Sequence, residues 1–401
     1  MKIRILTAGM FLFALTSSFS QETEAPAFGK GLFNLVGKDS TFTMKIATRM
    51  QLLGIASWQK EDGGGLVDPE SNYLVRRARL KFDGFVYSPK LEYKIELGLS
   101  NRDISGASDF TSGAPRYILD AVVMWNFYEN FELWVGQTKL PGNVERVVSS
   151  ANLQMVDRSL VNSRFNIDRD MGIQLRHKTK LFGDVVMREK FAISQGEGRN
   201  VTSDNLGGYQ YTSRLEILPF GEFKGDYTGA DLEREESPKL MLAATYDINQ
   251  DAVRTRSNLG SYMEIDNGTG FYETNINTLF VDAMFKYNGF SFMGEYAHRN
   301  AKDPLAKNSD GTLTGDTVLV GDGLNLQTGY LFENDWEVSG RYTNIQLDEN
   351  ITGRATETQY TLGLSKYIVG HKLKVQTDLS YLNVDGGSDE LMYRLQMDIH
   401  F

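Results

Sequence analysis

Apolar and polar residues alternate with a period of two along most of this chain. From Glu390 to Phe401 the apolar set is Leu391, Tyr393, Leu395, Met397, Ile399 and Phe401, with Met392, Arg394, Gln396, Asp398 and His400 between them. A period of two puts successive side chains on opposite faces of a strand, so one face is greasy and the other mostly polar. The pattern recurs near 42–58, 73–87, 91–100, 117–128, 131–139, 170–179, 184–194, 209–218, 238–247, 275–287, 290–299, 323–332, 336–346, 356–368 and 371–383. Together these stretches predict sixteen strands, most of about ten to thirteen residues, long enough for a tilted strand to cross a bilayer.

The connections alternate as well. Ser88 to Lys90, Glu129-Asn130, Lys180 to Gly183, Asn288-Gly289, Glu333 to Asp335 and Val369-Gly370 are short, whereas 59–72, 101–116, 140–169, 195–208, 248–274 and 300–322 are long. Short turns on one rim and long loops on the other are the layout of an even-stranded transmembrane barrel, with the short turns periplasmic. One connection departs from the rhythm: 219–237 falls where a tight turn belongs. Phe85, Phe127, Phe131, Tyr287, Phe290, Phe332, Trp336 and Phe401 cluster near the short turns, as rings do at a water–lipid interface. The fold class expected is therefore an all-β, antiparallel transmembrane β-barrel over 41–401.

Composition narrows the picture. Mean hydropathy is −0.34, and no internal run approaches the roughly 18 apolar residues of a membrane helix, so a helical membrane protein is excluded. The absence of Cys removes disulfides, thiol catalysis and cysteine-ligated zinc. Lys2 and Arg4, the apolar stretch Ile5 to Phe13, and Ser18 and Ser20 predict an export signal over 1–20. Residues 21–40 then form a polar periplasmic lead. A formal net charge of −10 argues against nucleic acid as a partner.

The four histidines, His177, His298, His371 and His400, share no short motif, and no nucleophile-elbow, zinc or phosphate-loop pattern is present. No enzyme activity, cofactor or metal is expected. The polar strand faces say more, because the inward register carries more Lys and Arg than Asp and Glu in a chain that is acidic overall. Lys45, Arg49, Arg77, Arg79, Lys81 and Lys94 on the first three strands are pore-lining, anion-binding candidates, since a narrow lumen focuses the field of such groups. Segment 140–169 adds Arg146, Arg158, Arg164 and Arg169. Its Val144, Val147, Val148, Leu153, Val156, Leu160, Val161, Phe165 and Ile167 are too apolar for a solvated loop. It is the candidate constriction, folded into the barrel; a surface loop or subunit contact is the alternative. Arg76 falls on the outward face of its strand, toward lipid headgroups, lipopolysaccharide or a neighbouring subunit.

The stretch from Tyr73 to Lys94 (YLVRRARLKFDGFVYSPKLEYK), with Gly136-Gln137-Thr138-Lys139 and the closing Phe401, resembles the phosphate-selective porin O and P family in its Bacteroidetes-type form. The resemblance spans nearly the whole mature chain. It implies a homotrimeric sixteen-stranded outer-membrane channel in which Arg and Lys guide small anions, phosphate in the named members, to a constriction. It also implies insertion by the barrel-assembly machinery through the terminal Phe401. A general, weakly selective porin is the alternative, ahead of an outer-membrane enzyme or adhesin.

Overall fold

The computed structural model describes residues 26–61, 64–104 and 106–401; the expected export signal lies outside these. Sixteen long strands follow one another: β1 (Thr43–Lys60), β2 (Leu66–Val86), β3 (Ser88–Gly98), β4 (Ile118–Tyr128), β5 (Phe131–Lys139), β6 (Arg169–Lys180), β7 (Val186–Ser194) and β8 (Gln210–Leu218). They continue as β9 (Lys239–Ala252), β10 (Thr274–Tyr287), β11 (Phe290–Ala301), β12 (Gly321–Leu331), β13 (Trp336–Leu347), β14 (Glu357–Val369), β15 (Leu373–Val384) and β16 (Asp389–His400). Each pairs antiparallel with its neighbours in sequence. β1 also pairs with β16, from Arg49↔His400 to Lys60↔Asp389, so the sheet closes into a barrel. Closure is what removes the unpaired edge that lipid cannot hydrate.

The alternation works as expected on the outside. Ile173, Val338 and Leu362 are more than half exposed, and Phe127, Tyr287, Phe290, Phe332 and Trp336 stand exposed beside the short turns. Part of the lead, Phe33–Val36, forms a short strand against the start of β1, from Phe33↔Ile46 to Val36↔Thr43. The Phe401 amide donates to the Thr48 carbonyl at 2.9 Å, so lead and C-terminus occupy the same edge of β1 in succession.

Two boundaries and one facing differ from the sequence reading. The first loop, expected over 59–72, is mostly strand, because Gln59↔Val67 and Lys60↔Leu66 extend the ladder. Asp68 and Glu70 sit in a hairpin above the bilayer, where backbone pairing persists without a greasy face. The turn expected at Ser88 to Lys90 tightens to Tyr87, which adopts φ 66° while β3 starts at Ser88. Arg76 points inward rather than outward. Gln51 pairs with Arg77 but Leu52 pairs with Val75, leaving Arg76 as the extra residue of a β-bulge that resets the faces.

Segment 140–168 lies inside the barrel and carries two short helices, α1 (Val144–Val147) and α2 (Leu160–Phe165). The Ser159 side chain caps α2 by accepting from the Asn162 amide. Leu140, Val161, Phe165 and Ile167 pack on Ala192, Phe280, Ala297 and Ile345 of the inner wall. Val144, Val148 and Leu153 pack on Met241, Met284 and Met293. The inner wall from β7 to β13 therefore carries apolar residues that the polar-lumen reading did not foresee. They form the seat of the loop, and each fully buried Phe or Ile contributes roughly 1.5–3 kcal/mol.

Close backbone packing sets one limit on substitution. Gly136 of β5 has φ 129°, and a Cβ there would lie 2.2 Å from the Ala121 carbonyl oxygen. Gly136→Ala should destabilise the barrel by about 1–3 kcal/mol, read as a lowered midpoint for loss of the compact form in SDS.

Candidate functional site

The loop divides the lumen. Between it and the inner faces of β2–β7 lies a cavity of about 510 Å³ whose lining includes twelve Arg and Lys against four Asp and Glu. Arg77, Arg79, Lys94, Arg146, Arg158 and Arg169, all predicted, line it, as does Arg76, which the bulge turns inward. A second recess, about 360 Å³, holds Lys45, Arg49, Lys81 and His400, and shares Arg79, Lys94, Glu96 and Ser149 with the first. The two lie on one path toward the short-turn rim. Of the predicted set, Arg164 is the residue not brought there. It pairs with Glu357 at 2.8 Å and lines a separate recess with Arg256 and Arg354.

Most of the predicted cations are held by carboxylates. Arg79 bridges Asp103 at 2.7 Å and Glu96 at 2.9 Å. Asp120, buried, takes Lys94 at 2.8 Å and Arg169 at 3.0 Å and accepts from the Thr138 hydroxyl at 2.9 Å. Arg76 and Arg77 both reach Asp157, at 2.8 and 3.4 Å. Arg49 joins Asp398 at 2.6 Å and donates to the Ser150 carbonyl. Lys81 pairs with Asp83 at 2.9 Å, and Arg146 pairs with Asp168. In the loops, burial would raise the carboxyl of Asp103, but the hydrogen bonds and charge of Arg79 outweigh it and hold Asp103 below the usual carboxylate range. These pairs fix the geometry of the wall and cancel much of its charge.

Five lining cations have no carboxylate partner among the described residues: Arg102, Lys139, Arg158, Arg176 and Arg199. Lys139 donates to the Arg146 carbonyl at 2.7 Å, and Arg158 to the carbonyls of Glu145 and Val148, both at 2.8 Å. Arg176 lies over the Trp134 indole at 3.6 Å from its centroid and donates to Gln174. Arg199 comes from the loop after β7 and donates to the Asp103 carbonyl. Burial pulls its guanidinium down to about 10, so it remains a cation at neutral pH. Backbone carbonyls and a ring face hold Lys139, Arg158, Arg176 and Arg199 in place without a countercharge.

The far wall uses its cations differently. Arg299 donates to the Phe165 carbonyl at 2.5 Å and the Arg164 carbonyl at 3.1 Å, at the C-terminal end of α2. Arg341 donates to the Asp157 carbonyl, Lys374 to the Leu153 carbonyl and Arg214 to the Gly142 carbonyl. All four sit on the inward register that sequence alone reads as pore-lining. They hold the loop instead. Of the five uncompensated cations, Arg158 is one that the sequence marks as an anion-binding candidate. Arg176 was on the inward face and Lys139 closes the Gly136–Lys139 motif, whereas nothing in the alternation pointed to Arg102 or Arg199, which sit in loops.

With a closed barrel, an inserted loop and a basic passage in place, comparison with known proteins becomes decisive. The sequence pattern of the family described as phosphate-selective porin O and P matches residues 59–389. The chain belongs to this family. It is a porin of the bacterial outer membrane. An uncharacterized protein of Aquifex aeolicus is 22% identical over 361 residues, 82% of this chain and 81% of that protein. The outer-membrane channel DcaP of Acinetobacter baumannii superposes with a TM-score of 0.56 at 13% identity, covering 92% of this chain and all of that one. An anion-selective porin from Comamonas acidovorans gives 0.53 at 11%, with 89% of this porin and all of that chain covered. At these identities the two structures bear on the fold.

Proposed function

We propose that this porin lets small anions, phosphate-like solutes among them, diffuse passively through the basic passage, with segment 140–168 as its constriction. The observation that carries the reading is the excess of twelve Arg and Lys over four Asp and Glu in one cavity, five of the cations without a carboxylate partner among the described residues. A solute passing there meets a net positive field inside low-dielectric walls, which favours anions. No covalent step is involved, so the protein is a channel and not an enzyme. Residues 1–20 direct export, Phe401 serves the assembly machinery, and the outer face meets lipid and lipopolysaccharide. Three copies assemble through their lipid-facing walls.

A weakly selective general porin is the second reading, favoured by the ion pairs that bind Arg76, Arg77, Arg79, Lys94 and Arg169. The zero-current potential of purified protein in a planar bilayer under a KCl gradient separates the two. Anion selectivity, with current blocked as phosphate is added, is expected. A potential near zero or of cation sign would leave the porin standing and remove the anion reading.

A further inference from the structure

The connection 219–238 joins β8 to β9 on the rim where two residues, Asn288-Gly289, suffice to join β10 to β11. Its twenty residues do not hang below the barrel; they turn up into it. Phe223 packs with Val148, Leu153 and Met284 under the inserted loop. The Gly229 amide donates to the Asn152 carbonyl at 2.9 Å, and a Cβ on Gly229 would lie 2.7 Å from the Gln154 amide nitrogen. The segment is therefore pressed against the tip of the constriction candidate. Asp231 accepts from the Gly289 amide at 2.8 Å, and Arg234 donates to the Leu331 carbonyl at 2.8 Å, tying the segment to neighbouring turns.

It also changes the charge of the wall. Glu222 and Asp226 meet Arg188 at 2.5 and 2.7 Å. Tyr227 reaches the lining of the basic cavity, where its hydroxyl donates to Glu216 at 2.5 Å. Inward cations on β7 are thereby covered from below.

We propose that segment 219–238 is a second constricting element. It supports the loop from the short-turn side, fills the lumen beneath it, and confines solute to the side lined by β1–β7, while Glu222 and Asp226 lower the anion preference by occupying Arg188. This goes beyond the anion reading and does not require it, since its first readout is conductance.

Replacing residues 220–238 with Asn-Gly should raise single-channel conductance at least about twofold by widening the lumen, in protein that keeps its heat-modifiable mobility in SDS. Unchanged conductance in such folded protein would overturn the proposal. If that variant fails to assemble, Gly229→Ala decides, because it displaces the loop tip by one methyl group and leaves the barrel strands intact. A changed conductance or open-channel noise is expected, and wild-type behaviour overturns the idea. The isosteric pair Glu222→Gln and Asp226→Asn tests the charge role. The anion-to-cation permeability ratio should rise about threefold relative to wild type, whatever the wild-type selectivity, and no shift would refute that role.

Discussion

Replacing Arg176 and Arg199 together by glutamate should lower the anion-to-cation permeability ratio roughly tenfold, equivalent to about 1.4 kcal/mol at the constriction. Both line the basic cavity, and neither has a carboxylate partner among the described residues. Their charge therefore acts on a passing ion instead of on a neighbour. At an effective dielectric near 20, a unit charge about 8 Å from an ion's path contributes about 2 kcal/mol before salt screening, and reversal doubles the change. The same substitution at Arg299 and Arg341 should affect folding far more than selectivity, because those groups hold loop carbonyls on the far wall. Reversal potentials under a salt gradient, with heat-modifiable SDS mobility as the folding control, distinguish the two pairs. Equal selectivity losses from both would contradict the division of the lumen described above.

Removing the Asp120 carboxylate should cost about 3–5 kcal/mol of stability, because it leaves two cations in a buried network without their shared partner. Lys94 at 2.8 Å and Arg169 at 3.0 Å both depend on it, and the Thr138 hydroxyl loses its acceptor. Some compensation remains, since Lys94 keeps Glu96 at 3.0 Å and Arg169 keeps Asp168 at 3.6 Å. Asp120→Ala should therefore unfold at clearly lower urea in detergent. Any channels that do assemble should be more anion-selective than the parent, because the freed charges face the passage. Lost stability with unchanged selectivity would mean that the two cations are drawn away from the path rather than released into it.

The inner wall works as two surfaces of different kind. From β1 to β7 it presents charge to a passage. From β7 to β13 it presents apolar side chains and, on β8 to β15, a set of cations that grip the inserted segment by its carbonyls. A loop held at so many backbone oxygens is a fixed element of the channel, as the proposed constriction requires.

The barrel itself was legible in the alternation. Once one face of every strand must meet lipid and the backbone must be fully paired, sixteen such stretches joined by alternating short and long links leave little choice of architecture. The insertion of 140–168 was legible for a related reason: Val161, Phe165 and Ile167 are too apolar to remain in water, and the barrel interior is where they are buried. What period-two reading could not supply was the fate of each inward cation. Arg49, Arg214 and Arg299 look alike in sequence, yet one joins a carboxylate beside the passage, one holds Asp282 and a loop carbonyl, and one holds the end of α2. Those roles depend on which side of the lumen the loop occupies, a contact between residues 72 to 134 positions apart. The inward turn of Arg76 likewise depends on a single-residue bulge in the pairing of β1 with β2, which alternation within one strand cannot register. Sequence by itself determined which faces meet lipid and which meet the lumen, because that is a local matter of parity. Tertiary structure alone decided which charges are cancelled, which hold the loop and which remain for a solute, because those are matters of distance across the barrel.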